Sequence, residues 1–207
     1  MKLLEGSHRL YRRARNVFPV INLLEINLRL VANTSGIIPG RRYLEIKMDT
    51  NNTCNLRCGF CNWNYKRLSQ PEMLRFLSID EFKKIADQTF YRAKSVYLSC
   101  NGEPFITKNF SKYIGIACSY GVPQIGFVTN GTMITEEDVI TCVSKGVNIV
   151  HISIDASNPE TYRRIRGADL ERVIDVLRQF KKYKLEQKKS IPQINVNYTL
   201  FTINSEE

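Results

Sequence analysis

The sequence predicts an α/β protein built on a parallel sheet or barrel of five strands. Three observations predict it. After residue 40, short apolar runs alternate at a regular interval with segments of helical period. Capping signals open several of the helical segments. The polar landmarks of the chain fall just after the strands, where parallel α/β folds build their sites.

Tyr43–Asp49 is predicted as the first strand, and a cysteine-bearing loop follows it. A helix is expected to start near Ser78, where Ser-Ile-Asp-Glu supplies a cap and acids for the first turn. Lys94–Ser99 reads as the second strand, ending in Cys100-Asn-Gly-Glu-Pro104. Asn109–Tyr120 has a helical pattern with Gly121 as its stop. Gln124–Thr129 is the third strand, broken by Asn130-Gly131. Thr135-Glu-Glu-Asp138 opens the next helix, which Gly146 closes. Asn148–Asp155 is the fourth strand. Pro159-Glu160 begins a helical region, and Leu170–Leu185 carries a clear 3.6-residue apolar period. Gln193–Phe201 is the fifth strand. Residues 1–40 are read as a basic, amphipathic helical extension, and residues 41–207 as the core domain.

The most specific signal is CNLRCGFC, which places Cys54, Cys58 and Cys61 on the loop after the first strand. Three thiolates on one tight loop suit three irons of a cubane cluster. Protein-held [4Fe–4S] clusters normally use four cysteines, so a local triplet leaves one iron open to another ligand. A zinc knuckle or three unrelated thiols is the alternative. Zinc wants a fourth Cys or His close by, and neither His8 nor His151 has that spacing.

With 43 % hydrophobic and 24 % charged residues over 207 positions, the chain has the make-up of a globular protein with a sizeable core. No run approaches the roughly 18 apolar residues of a membrane helix. Met1–Gly6 lacks the pattern of an export signal, so a cytoplasmic location is expected and the cysteines point to metal rather than disulfides. The net charge of +10 gathers in Arg9–Arg15, Arg163–Arg166 and Lys181–Lys189. Such runs serve nucleic acid, an anionic lipid surface, an acidic electron donor such as a flavodoxin or ferredoxin, or a plain solvated helix face. Charge alone does not choose among them.

Taken with the cysteine spacing, residues 43–204 resemble the radical S-adenosylmethionine (SAM) superfamily. In that family the free iron binds the methionyl amine and carboxylate of SAM. Phe60, just before the third cysteine, is similar to the adenine-contacting position. Asn101-Gly102-Glu103-Pro104 looks like the family's Gly-Gly-Glu-Pro turn, whose backbone and Glu meet the SAM amine; Asn101 replaces the first glycine. Ser153 and Asp155 resemble the segment that contacts the SAM carboxylate or ribose. Asn197 and Asn204 resemble positions near the ribose and adenine. Arg166 is placed to pair with the SAM carboxylate, and Asn130 joins the same rim. The resemblance implies a partial parallel (β/α) barrel. It also implies reductive cleavage of SAM to a 5′-deoxyadenosyl radical that abstracts hydrogen from a peptide or small-molecule substrate, with peptide or cofactor modification favoured. Sulfatase maturation and RNA or small-molecule methylation are the alternatives within the family. Outside it stand a non-catalytic iron–sulfur or zinc module of the same fold, and a basic nucleic-acid-binding protein with a structural metal.

Bland readings stand beside these. Asn101-Gly102 and Asn130-Gly131 are common turn dipeptides, and Asp155 could cap a helix. Cys118 and Cys142 read as core thiols, and Cys100 as a packing residue at the end of the second strand. The apolar run Ile21–Val31 reads as a helix packed on the barrel, with a membrane-surface helix as the alternative. Five strands are counted where the family usually has six βα units. The chain is therefore expected to be C-terminally incomplete, with an unprotected edge at the fifth strand and poor stability or activity alone.

Overall fold

A computed structural model of the protein describes residues 42–62 and 71–207. They belong to Arg42–Glu207, the second of the two units into which the chain divides. The basic run Arg9–Arg15 and the apolar run Ile21–Val31 lie outside the described residues.

Five strands form one sheet: β1 (Leu44–Lys47), β2 (Ala93–Tyr97), β3 (Gln124–Thr129), β4 (Ile149–Ser153) and β5 (Gln193–Asn197). Every adjacent pair is parallel and the spatial order follows the chain, β1-β2-β3-β4-β5. A doubly wound sheet reverses its strand order at a switch point; a barrel sheet does not. The order therefore has the winding of a partial barrel, as the sequence predicts.

Among the described residues the α-helices are α1 (Ile79–Thr89), α2 (Phe110–Ser119), α3 (Glu136–Lys145), α4 (Pro159–Arg166) and α5 (Leu170–Glu186). Their starts follow local chemistry. Ser78 and Glu81 form a reciprocal capping box, as do Thr135 and Asp138. Asn158 and Asp169 cap α4 and α5 with their side-chain oxygens. Each such cap is worth about 1 kcal/mol. Gly146 and Gly167 end α3 and α4 in the left-handed region, at φ 82° and 70°, where a Cβ is penalised.

Strand alternation divides the sheet into two unlike faces. One is apolar: Val96, Leu98, Ile125, Phe127, Val150 and Ile152 are buried against Phe82, Phe90, Phe110, Ile114, Val139, Tyr162, Val173 and Phe180. The other presents Glu45, Lys47, Ser95, Tyr97, Gln124, Val128, His151 and Asn197, which together line a cavity of about 630 Å³. The edges of the core are tied as well, with Arg42 donating to the carbonyls of Phe90, Ala93 and Tyr120.

The fifth strand is shorter than predicted. Its last ladder bond runs from the Ile154 N–H to the Asn197 carbonyl. One step on, the Thr199 N–H donates instead to the Asp155 side chain at 2.7 Å. Asn204 folds the following residues back, donating to the carbonyls of Asp155 and Thr199 and accepting from the Phe201 N–H. Residues 202–204 close as a single 3₁₀ turn.

Candidate active site at the rim of the sheet

The cysteine loop leaves β1 and is fastened to its neighbours before the first cysteine is reached. Asp49 accepts hydrogen bonds from the Cys100 and Asn101 N–H groups, at 2.7 and 3.0 Å, and from the Asn101 amide at 3.2 Å. Asn101, which stands where a glycine was expected, thus finds a side-chain partner of its own. Asn51 donates to the Glu103 carbonyl and to Thr107, while the Glu103 N–H donates to the Thr53 carbonyl. These contacts bring the loop so close to residue 102 that a Cβ there would lie 2.7 Å from the Asn51 carbonyl oxygen. Only glycine fits at that approach.

Glu103 lies beneath the rim and is 1 % exposed. Its carboxylate accepts from Thr129 Oγ1 and the Asn130 N–H, both at 2.8 Å, and from the Phe105 N–H at 3.3 Å. Burial pushes its pKa up to about 7, against the pull of those donors. Asn130 carries the connection onward: its amide donates to Asn55 at 2.9 Å and to the Cys54 sulfur at 3.6 Å. Thr132 and Asn55 close the circuit by hydrogen bonding to Asn130 and to each other. Gly131, at φ 78°, makes the turn beneath them against Val173.

The other side of the loop is held by charge. Arg166, at the end of α4, forms an ion pair with the fully buried Asp155 at 2.5 Å, and its Nε donates to the same oxygen at 2.6 Å. The guanidinium lies 5.5 Å from the Phe60 ring centre, and Phe60 in turn packs on Phe201 at 4.8 Å. The Cys58 thiol donates to the Arg166 carbonyl at 3.8 Å. Burial pushes the Cys58 pKa up, and the Arg166 charge opposes that rise.

Each predicted site residue can now be placed. Cys54, Cys58 and Cys61 lie on one loop with no disulfide among them. Gly102, Glu103, Asn130 and Asp155 converge around that loop, as expected. The structure gives the Arg166 guanidinium an internal carboxylate, and it gives Asn204, 1 % exposed, three internal backbone partners. Phe60 stays 40 % exposed. Ser153 and Asn197 pair across β4 and β5 at the top of the cavity face, and Asn197 Oδ1 lies 3.4 Å from His151 Nδ1. Cys142 is buried and Cys118 half-buried, and burial raises the pKa of both, to about 11 for Cys118. Cys100 lines the cavity. Asp49, Asn51, Asn55 and Phe201 were not singled out by sequence; the density of Asn and Thr in residues 50–55 was the one local signal for Asn51 and Asn55, and Asp49 and Phe201 had none.

Whether this loop suits an iron–sulfur cluster can be judged from its own atoms. Three thiols without a disulfide are the donor set such a cluster uses. The Leu56 N–H and the Asn130 amide already point at the Cys54 sulfur, the outer-shell pattern that steadies sulfur ligands. The Tyr162 hydroxyl is buried without a hydrogen-bond partner, and burial raises its pKa to about 12. Among the described residues no three His, Cys, Asp or Glu side chains gather round a single metal ion.

Comparison with known proteins agrees with this geometry. The sequence profile of the Radical SAM superfamily matches residues 48–207. A probable GTP 3′,8-cyclase of Methanocaldococcus jannaschii is 28 % identical over 167 residues, 80 % of this chain and 52 % of its own. The subtilosin biosynthesis protein AlbA of Bacillus subtilis is 30 % identical over 149 residues, 72 % of this chain and 32 % of its own. Against these relatives the chain spans about half their length or less. Among solved structures, Streptococcus suis SuiB bound to S-adenosylmethionine superposes with TM-score 0.63 at 16 % identity, covering 95 % of this chain and 44 % of that one. The protein anSMEcpe, solved with AdoMet and a peptide, gives TM-score 0.55 at 18 % identity over 74 % and 42 % of the two chains. Among the described residues no helix is long and apolar enough to cross a membrane.

Proposed function

Because this chain belongs to the radical SAM superfamily, whose enzymes use a [4Fe–4S] cluster and SAM, we propose that its rim holds both groups and directs hydrogen abstraction at a substrate lying on the cavity face. The observation that carries this reading is the convergence of the three-cysteine loop with Gly102, Asn130, Ser153 and Asp155 at one end of the sheet. When bound, the cluster supplies an electron and SAM supplies the carbon-centred radical.

The chain's own residues then divide into two groups. Cys54, Cys58 and Cys61 ligate the cluster. Phe60, Ser153, Asn197 and the backbone at Gly102 offer a ring face, a hydroxyl, an amide and main-chain groups at the rim, and these contact SAM. Glu103, Asn130, Asp155, Arg166 and Asn204 act mainly by fixing the walls, since their polar atoms already have internal partners. Positioning of this kind is the protein's main share of cofactor chemistry.

SuiB and anSMEcpe were solved with peptides, AlbA is named for subtilosin biosynthesis and the Methanocaldococcus relative as a probable GTP 3′,8-cyclase, so the substrate class extends to peptides and small polar molecules. An electron donor of the flavodoxin or ferredoxin kind is proposed to approach the cysteine loop, where Arg57 is exposed. The test is anaerobic reconstitution of the 207-residue chain, followed by iron analysis and EPR with and without SAM. About four irons per chain, a reduced signal perturbed by SAM, and release of 5′-deoxyadenosine are expected. One tightly bound zinc with no response to SAM would sink the reading.

A further inference from the structure

We propose that the cavity face recognises a substrate through an anionic group, carboxylate or phosphate, seated on Lys47. This inference rests on the rim being the SAM site, and it concerns the sheet face below that rim.

Lys47 and Glu45 both line the cavity. Glu45 has its own cation, Lys94, at 2.6 Å. Asp49, outside the lining, accepts from three neutral donors of Cys100 and Asn101. Among the described residues the Lys47 side chain makes no ion pair and no hydrogen bond, its charge is felt by Glu45 and Cys100, and it is the single ammonium on this wall. Of the two charged side chains that line the cavity, the acid is ion-paired and the lysine is not, so the lining presents an ammonium to its contents.

The neighbouring groups have the matching polarity. Tyr97 stands directly across from Lys47 in the β1–β2 register. Gln124 donates to the Tyr97 hydroxyl oxygen at 3.2 Å, which leaves the hydroxyl proton to donate elsewhere. Asn197 Oδ1 lies 3.4 Å from His151 Nδ1, and among the described residues no hydrogen bond uses the Asn197 NH₂ group. Gly126 makes the floor passable: a Cβ there would lie 3.1 Å from the Tyr97 ring. The absence of that Cβ lets the ring lie across β3, within 6.0 Å of the His151 ring. The wall thus offers an ammonium, a phenol and an amide as donors, the set that acceptor-rich anions select. Lys47 is a point charge on a flexible stem, so it serves either anion without the planar preference of arginine.

The experiment reads Lys47 directly. The full chain is reductively methylated in limiting reagent, and modification at each lysine is followed by peptide mass spectrometry. Inorganic phosphate, succinate, glycerol and tetramethylammonium chloride are the probes. Phosphate or succinate is expected to slow modification of Lys47 about tenfold, with no such protection at Lys83 on α1, and the more effective anion identifies the group. Glycerol and tetramethylammonium, which do not consume the reagent, are expected to have no effect. The proposal is overturned if neither anion protects Lys47, if Lys83 is protected equally, or if glycerol or tetramethylammonium protects as well as the anions do. A second arm compares SAM binding by the wild type and Lys47→Met. Retained SAM binding in Lys47→Met, with anion-dependent thermal stabilisation lost, supports the seat; equal anion stabilisation of both proteins refutes it. Because the anion titrations need no SAM, a chain that protects Lys47 yet fails to bind SAM refutes the rim assignment and leaves the anion seat standing.

Discussion

Two buried carboxylates brace opposite sides of the cysteine loop, and they do so by different physics. Asp155 is fully buried and Glu103 is 1 % exposed, so desolvation opposes the charge on both. Asp155 meets a guanidinium, with the Thr199 N–H as a further donor. Glu103 meets two N–H groups and a hydroxyl, all neutral, and burial pushes its pKa up to about 7. The contrast shows that hydrogen bonds alone satisfy a buried carboxylate's geometry, whereas a cation answers its charge. One side of the loop is an ion pair, and the other is a carboxyl whose pKa burial pushes up to about 7.

The sharpest way to break that contrast is to remove one partner of the ion pair. Asp155→Ala leaves the Arg166 guanidinium unpaired beside Phe60 and is expected to cost about 3–5 kcal/mol, measured by urea denaturation of the apoprotein. A loss below 1 kcal/mol would show that water or Phe60 suffices for the cation.

Next in size is the pH response of the other brace. The folded value of Glu103 lies above its ordinary 4.5, so the folded chain binds the extra proton. Its contribution is then fully present below about pH 4.5 and is lost as pH rises toward 7. The apoprotein should lose up to about 3 kcal/mol over that window from this group. Glu103→Gln should flatten the slope in a melting series from pH 5 to 7.5. An unchanged slope would place the titration elsewhere.

A smaller effect is expected from Asn130→Ala, which removes the bonds to Asn55 and the Cys54 sulfur. It should cost about 1–2 kcal/mol. In the reconstituted protein, loss of an N–H···S contact should move the cluster potential to more negative values, read by EPR-monitored titration. An unmoved potential would leave Asn130 as a structural brace only. The smallest change has the opposite sign. Tyr162→Phe deletes a buried hydroxyl that lacks a partner and should leave the apoprotein as stable or up to about 1 kcal/mol more so. A clear loss of stability would mean that the hydroxyl is already paired.

Much of the framework was legible because it rests on local signals. Ser78 and Thr135 announce helix starts within four residues, and both starts form where read, each closed as a reciprocal box with Glu81 or Asp138. The parity of β1 is equally local: Leu44 and Ile46 on one face, Glu45 and Lys47 on the other. The fifth strand was read too long because Tyr198–Phe201 continues an apolar pattern, while its ladder is ended by Asp155, 44 residues away from Thr199. Arg166 was read as a ligand for an external carboxylate because charge type is visible in sequence and the partner is not.

The sequence by itself determined the strand–helix alternation, the cysteine loop and the rim on which the landmarks fall, since periodicity, capping and ligand spacing act over a few residues. Tertiary structure decided which polar groups face one another. It set Asp49 under Asn101, Arg166 on Asp155 and Asn204 on three backbone groups, and it turned the Lys47 face toward a cavity. The physical reason is that a buried polar atom must find a partner somewhere, but which one it finds depends on distances that only the folded sheet creates.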